Sequence, residues 1–294
     1  MPFALPFLHR RSPTRRVPIL TYHALNATDR HYAANDHVAL EEDLRLIREL
    51  GFKVAPLQEI AKMTWSRAPS RLDRGQWIGL SFDDGTDFDY VDVKAHEYLG
   101  DVKSFYTILK ESGASGGRDW PQPTGTAFVI ASPDARVVLD KTCMAGLNHW
   151  RDSWWMEAAQ TGVLAIGNHS WDHLHYTLDT VAQHEQRKGT FKCIDNLADA
   201  DAQIMQATNY ITRLTNGRSA RLFAYPYGET TEYLIDDYFP NNMKRHRMLA
   251  AFSAGGEYAT CESNRWSIPR FVCGLHWKSP EDLGKILRDA MVRD

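Results

Sequence analysis

Trp77-Ile78-Gly79-Leu80-Ser81-Phe82-Asp83-Asp84-Gly85-Thr86-Asp87 is an apolar run that ends abruptly in two carboxylates and a glycine. The run reads as a buried strand, and Gly85 lets the backbone turn where a side chain would clash. Successive side chains of a strand point to opposite faces, so adjacent acids at its end can take different tasks. One could bind a cation while the other handles protons. Asp-Gly after a strand is also an ordinary turn signal, and the pair gains its meaning from the rest of the chain.

Upstream, residues 17–23 read as a first buried strand ending in His23. Leu40, Leu44, Ile47 and Leu50 share a helical face, with Gly51 as C-cap and residues 52–54 as the next strand. Residues 58–63 form a shorter helical stretch. Downstream, an acidic turn (Asp87, Asp89, Asp92) leads into an expected helix that stops at Leu99 and Gly100. Residues 104–110 fit helix or strand, and 112–126 read as a loop. Residues 127–131 and 163–167 are core strands, the second delivering Asn168-His169-Ser170-Trp171-Asp172-His173. Trp150 and Trp154 lie one helical turn apart. Ile204, Ala207, Ile211 and Leu214 mark an amphipathic helix closed near Gly217. Residues 222–225 run into Pro226-Tyr227-Gly228, residues 250–253 and 268–272 are two more strands, and 283–292 is a closing helix.

Strands and helices alternate without a break in composition. That predicts one α/β domain over residues 17–294, with a largely parallel sheet, open or closed into a barrel, behind a flexible basic lead-in of residues 1–16. Either way, chemistry collects at the C-terminal ends of the strands. Asp83, Asp84, His169, His173, His23, the Pro-Tyr-Gly turn and Arg270 all fall at or just beyond such ends.

Composition narrows the partners. The 294 residues carry a net charge of -3, which offers no electrostatic pull toward nucleic acid or an anionic membrane. Nine Trp and twelve Tyr supply faces that could stack on sugar rings, although most must serve packing. Cys143, Cys193, Cys261 and Cys273 lack C-x-x-C spacing, so they form no zinc-knuckle pattern, and two disulfides or four thiols are equally compatible. The first residues place an apolar, proline-interrupted run before the arginines, the reverse of a secretory signal. No segment approaches the ~20 apolar residues of a membrane span. The expectation is a cytoplasmic protein, with action outside the cytoplasm left open, and nothing indicates an oligomeric state.

His169 and His173 are four apart, so on a helical turn both imidazoles would face one ion. A carboxylate from Asp84 completes two nitrogen ligands and one oxygen ligand. Three protein ligands with open positions are the catalytic arrangement for zinc, and the set also suits other divalent transition metals. Ser170 could orient a ligand from behind. The spare carboxylate, Asp83, would serve as base for a water. A backbone N–H in the turn at Tyr225-Pro226-Tyr227-Gly228 could face a developing oxyanion. The parts fit metal-assisted hydrolysis of an amide or ester.

The three motifs, Ser-Phe-Asp83-Asp84-Gly, His169-Ser-Trp-Asp-His173 and Tyr225-Pro226-Tyr227-Gly228, taken in this order, resemble the polysaccharide deacetylases of carbohydrate esterase family 4 over about residues 17–275. The resemblance implies a distorted (β/α) barrel with an incomplete strand count. It implies Asp83 as catalytic base, Asp84, His169 and His173 as metal ligands, and the Tyr227 N–H as an oxyanion donor. Two departures stand out. Ala224 occupies the place where the family pattern has an arginine before Pro-Tyr-Gly, and Leu275-His276 lacks the apolar strand expected before the late acid. Ile19-Leu20-Thr21-Tyr22-His23 resembles instead the branch with permuted motif order, which includes poly-N-acetylglucosamine deacetylases. In that branch the early Tyr-His supplies the acid, here His23, and Arg270 resembles its arginine. His149, His175 and His276 read as packing residues.

The implied activity is metal-dependent removal of N-acetyl groups from an acetylated sugar or polysaccharide, with zinc the first choice of metal. The alternatives are an O-acetyl esterase, a small-molecule amidase, or a non-catalytic sugar-binding relative. The intact ligand set and Asp83 speak against the last two.

Overall fold

In the computed structural model, which describes residues 15–66, 68–96, 100–144, 146–182 and 187–292, the strand that ends in Asp83 sits inside a curled parallel sheet. The strands are β1 (Ile19–His23), β2 (Phe52–Val54), β3 (Gln76–Asp83), β4 (Val93–His96), β5 (Gly100–Val102), β6 (Gly125–Val129), β7 (Leu164–Asn168), β8 (Leu222–Ala224), β9 (Ala250–Phe252) and β10 (Phe271–Val272). The helices are α1 (Asp36–Glu49), α2 (Leu57–Lys62), α3 (Phe105–Ser115), α4 (Pro133–Cys143), α5 (Trp155–Thr161), α6 (Leu197–Ala200), α7 (Gln206–Leu214), α8 (Phe239–Asn241), α9 (Met243–His246) and α10 (Pro280–Met291).

Seven strands run in the order β10-β1-β3-β6-β7-β8-β9, and β2 pairs with the start of β3. Every neighbouring pair along this path is parallel. The segment before β10 bridges the remaining seam. Ile268 exchanges backbone hydrogen bonds with Ala251 and Ser253 at 2.9 Å, and Phe271 and Val272 then pair with Leu20 and Thr21. The result is the expected distorted (β/α) barrel with fewer strands than a full eight.

Side-chain alternation makes two faces of the sheet. Leu20 and Tyr22 of β1, and Ile78, Leu80 and Phe82 of β3, pack outward among residues of α1, α3 and α10. Ile19, Phe128, Leu222, Ala250 and Phe252 face inward and form the apolar floor of the barrel with Leu57 and Ile60 of α2. A methyl group at Gly79 would meet the side-chain ends of Leu57 at 2.6 Å and Ile60 at 2.7 Å, so the bare glycine leaves room for α2 to plug the lower end. Above that floor the inward positions turn polar: Thr21 and Ser81 bond at 2.8 Å, and His23 and Asp83 are register partners one layer higher.

Four local expectations are corrected. The helix expected after the acidic turn is an antiparallel β4–β5 hairpin, with residues 97–99 outside the described set. Its Val-Lys-Ala-His sequence alternates with period two, and Asp92 closes the base by accepting from the N–H and hydroxyl of Ser104 at 2.8 Å. Ser104 also N-caps α3, which settles residues 104–110 as helix and carries it into the expected loop. Trp150 precedes α5, so it does not share a helical turn with Trp154. The histidine motif, finally, is not helical, as described below.

All four cysteines are free, with Cys193 and Cys273 buried. Of the basic lead-in, residues 1–14 lie outside the described residues, while Arg16 pairs with Asp289 at 3.3 Å. Among the described residues no helix is long and apolar enough to cross a membrane.

Candidate active site

The site forms at the upper rim, where β1, β3, β7 and β8 end. Asp83 is the last inward residue of β3 and is buried. Asp84 lies just past the strand with φ +78°, and Gly85 follows at φ +74°. A methyl group on Gly85 would come within 2.5 Å of Val129, so glycine is required where this turn crosses β6. The Asp84 carbonyl accepts from the Ile130 N–H and from the Trp150 indole, both at 3.2 Å. The left-handed turn cancels the strand alternation expected for the two acids. Asp84 Oδ1 lies 3.7 Å and Asp83 Oδ2 4.0 Å from the same atom, Nε2 of His169.

His169 extends β7 through its N–H to the Val129 carbonyl. The loop beyond it has positive φ at Ser170 (+73°), His173 (+63°) and Leu174 (+47°). Such conformations cost a non-glycine residue on the order of 1 kcal/mol each, and here they aim side chains. Ser170 accepts the His173 N–H at 2.9 Å, and the Ser170 N–H donates to Asn168 at 2.7 Å. This tight loop, rather than a helical turn, brings the rings to a centroid distance of 4.9 Å.

Asp84, His169 and His173 each offer a ligand atom within 4.8 Å of the other two. Asp84 Oδ1 lies 3.8 Å from Nε2 of His173. Two ligands about 2.1 Å from a tetrahedral ion stand about 3.4 Å apart, so the triad is close to the size a zinc-like ion needs. Nδ1 of His169 donates to the Ala224 carbonyl at 2.9 Å, which fixes the tautomer and leaves Nε2 as the lone-pair donor. Burial, reinforced by His169 and His175, pushes the His173 imidazole well below the usual histidine range and keeps it neutral, the form that ligates. The donor set fits a divalent transition metal.

Asp83 is gripped by Arg270 in a bidentate pair, Nη1 to Oδ1 at 2.8 Å and Nη2 to Oδ2 at 2.9 Å. Arg270 is itself anchored to Ser81 Oγ at 3.1 Å and the Ser253 carbonyl at 3.0 Å. Burial is the largest single influence on Asp83 and pushes its carboxyl up. The Arg270 charge, His169 and the Arg270 hydrogen bonds together outweigh it and hold Asp83 well below the usual carboxylate range.

His23 ends β1 directly beside Asp83 in the parallel register. Its N–H donates to Asp36 at 2.7 Å, and its Nδ1 is buried with no hydrogen-bond partner among the described residues. Tyr227 has φ +58° and sets its ring edge-on to His173 at 4.5 Å. Seven residues singled out in the sequence therefore gather at one rim. His149, His175 and His276 stay outside the triad: His149 packs on Phe88, His175 bonds Thr177, and His276 accepts the Val272 N–H.

Three participants have no legible signal. Asp36 acts on His23 only through the fold. The Ala224 carbonyl is backbone and invisible to residue type. Asp89 is fully buried in the turn after β3, its carboxylate has no hydrogen-bond partner among the described residues, and burial, then Asp84, Asp83 and Asp87, push that carboxyl well up.

Residues 72–245 match the profile of the polysaccharide deacetylase family. No curated protein matches this sequence. Several solved structures are similar in fold. IcaB from Ammonifex degensii is 16% identical with a TM-score of 0.63, covering 95% of this chain and 98% of its own. The Streptococcus pyogenes deacetylase PplD, solved with acetate, is 16% identical with a TM-score of 0.57, covering 93% and 99%. The deacetylase domain of BpsB from Bordetella bronchiseptica is 16% identical with a TM-score of 0.56, covering 87% and 95%.

Proposed function

The chain belongs to the polysaccharide deacetylase family, and from that premise we propose that it is a metal-dependent hydrolase removing N-acetyl groups from an acetylated sugar chain. The observation that carries this reading is the convergence of Asp84, His169 and His173 within 4.8 Å, with Asp83 at 4.0 Å from His169. Asp84, His169 and His173 would hold the ion, zinc by preference for this donor set. A divalent ion supplies a Lewis acid for the acetyl carbonyl and makes an adjacent water easier to deprotonate.

Asp83 is the base that takes the proton of the attacking water. Arg270 keeps it ionised and fixes its plane. A carboxylate held so low is a weak base by itself, so the arrangement works only on a water already acidified, which agrees with a ligand triad beside it. The Tyr227 N–H stabilises the oxyanion that forms as water adds to the carbonyl. His23, on the same layer as Asp83, protonates the departing amine. The surface charge offers nothing for nucleic acid, which agrees with a neutral carbohydrate as partner.

Acetate release from N-acetylglucosamine oligomers tests the reading. Zinc-loaded protein is expected to release acetate, and Asp83→Asn to keep its zinc while losing about 10²–10⁴-fold in rate. Full activity in Asp83→Asn, or no acetate from any N-acetyl sugar, contradicts it.

A further inference from the structure

Among the described residues, the exposed large aromatic side chains are Trp65, Tyr176 and Tyr227. Trp65 is covered by the Arg265 guanidinium, 4.1 Å above its ring. The other two lie in and against the loop that carries His173. Tyr227 lies edge-on against it, and Tyr176 follows it by three residues and is 67% exposed. The His175 ring backs one face of Tyr176 at 4.6 Å and 28°, so the opposite face is turned to solvent.

This arrangement is braced from below. Nδ1 of His175 lies 2.8 Å from the Thr177 hydroxyl and accepts the Thr177 N–H at 3.3 Å, which fixes the ring as a shelf. The Gly189 N–H donates to the Leu174 carbonyl at 2.7 Å and ties a second segment to the loop. That segment comes so close that a methyl group on Gly189 would stand 3.3 Å from the Tyr176 Cβ. A braced aromatic face loses little freedom when a ligand settles on it.

We infer that Tyr176 is a stacking platform for the sugar residue next to the one whose acetyl group is hydrolysed. The inference rests on the sugar-deacetylase reading above and names the part of the substrate this surface recognises. A pyranose ring with mostly equatorial substituents presents C–H bonds on its faces, and these pack against the electron-rich face of an aromatic ring. The phenol places an apolar body under the ring and a polar tip among its hydroxyls. Two ring contacts, 5.8 Å from His173 to His175 and 4.6 Å from His175 to Tyr176, separate the platform from the triad. The sugar that reacts must sit at the triad, so Tyr176 meets its neighbour, and the site favours chains over single sugars.

Calorimetry on chelator-stripped protein tests the platform without turnover, using N-acetylglucosamine and its tetramer. The tetramer is expected to bind more tightly than the monosaccharide. Tyr176→Ala should remove about tenfold of that gain, and Tyr176→Trp should restore it. The platform is overturned if Tyr176→Ala keeps the full gain, if Tyr176→Trp is as weak as Tyr176→Ala, or if the stripped wild type shows no gain although the zinc-loaded protein releases acetate. If zinc-loaded protein releases no acetate from either sugar, the deacetylase reading has failed and the inference falls with it.

Discussion

Arg270 and Asp83 are 187 residues apart in sequence and share two hydrogen bonds inside the barrel. No spacing rule could join them; Arg270 lies just before β10 and Asp83 ends β3, and the closed sheet brings the guanidinium to the carboxylate. Asp83, Asp84, His169 and His173 were legible because their motifs are short and lie at strand ends. The reason both acids reach one histidine was not, since it depends on a left-handed backbone at Asp84. His23 was readable as the end of a strand, but its place beside Asp83 follows from the β1–β3 register. That placement leads to a test. An amine leaves badly unless protonated, whereas an aryl alkoxide needs little help. His23→Ala is expected to bind metal normally and lose about 10²–10⁴-fold on an N-acetyl sugar, with a smaller loss on an aryl acetate. Parallel rate profiles for the two substrates, measured in wild type and variant, would assign His23 a purely structural role.

The elements were legible where hydrophobic period was strong, as in β3, β6, α1 and α10, and poorly legible where polar contacts decide. The β4–β5 hairpin depends on Asp92 and Ser104, and the His169–Leu174 loop on three positive φ angles. Asp43 is a further case. From α1 it accepts from Tyr22 of β1 at 2.8 Å, Tyr32 at 2.6 Å and Trp277 at 3.1 Å, joining a helix, a strand and the segment before α10. Burial pushes its carboxyl from the ordinary 3.8 up to about 7, against the pull of these donors. The folded state thus holds this proton more tightly than the unfolded state. The contribution is complete below about pH 4 and is lost as pH rises through about 7. The melting temperature of wild type, taken relative to Asp43→Asn, is expected to fall between pH 5 and pH 8, by an amount on the order of 2–4 kcal/mol in stability. A difference that stays flat over that range contradicts a buried, titrating Asp43.

At the scale of the whole molecule, the alternation of strands and helices predicted the parallel sheet, and the strand ends predicted the rim where its chemistry collects. The closure did not follow from pattern, because the seam is made by isolated pairings at Ile268 and by the two residues of β10. That closure matters to function, since the closing segment carries Arg270 to Asp83 while β6 and β8 hold His169 between Val129 and Ala224. The barrel is thus a frame that brings one carboxylate and two imidazoles to a common point. Stepwise zinc titration of chelator-stripped protein, with bound zinc and acetate release followed together, tests this claim most directly. Activity is expected to rise in proportion to zinc and to level off at about one equivalent, with Asp84→Ala, His169→Ala and His173→Ala each failing to take up that equivalent. Full activity in stripped protein, or a full equivalent retained by the His169→Ala variant, would contradict it.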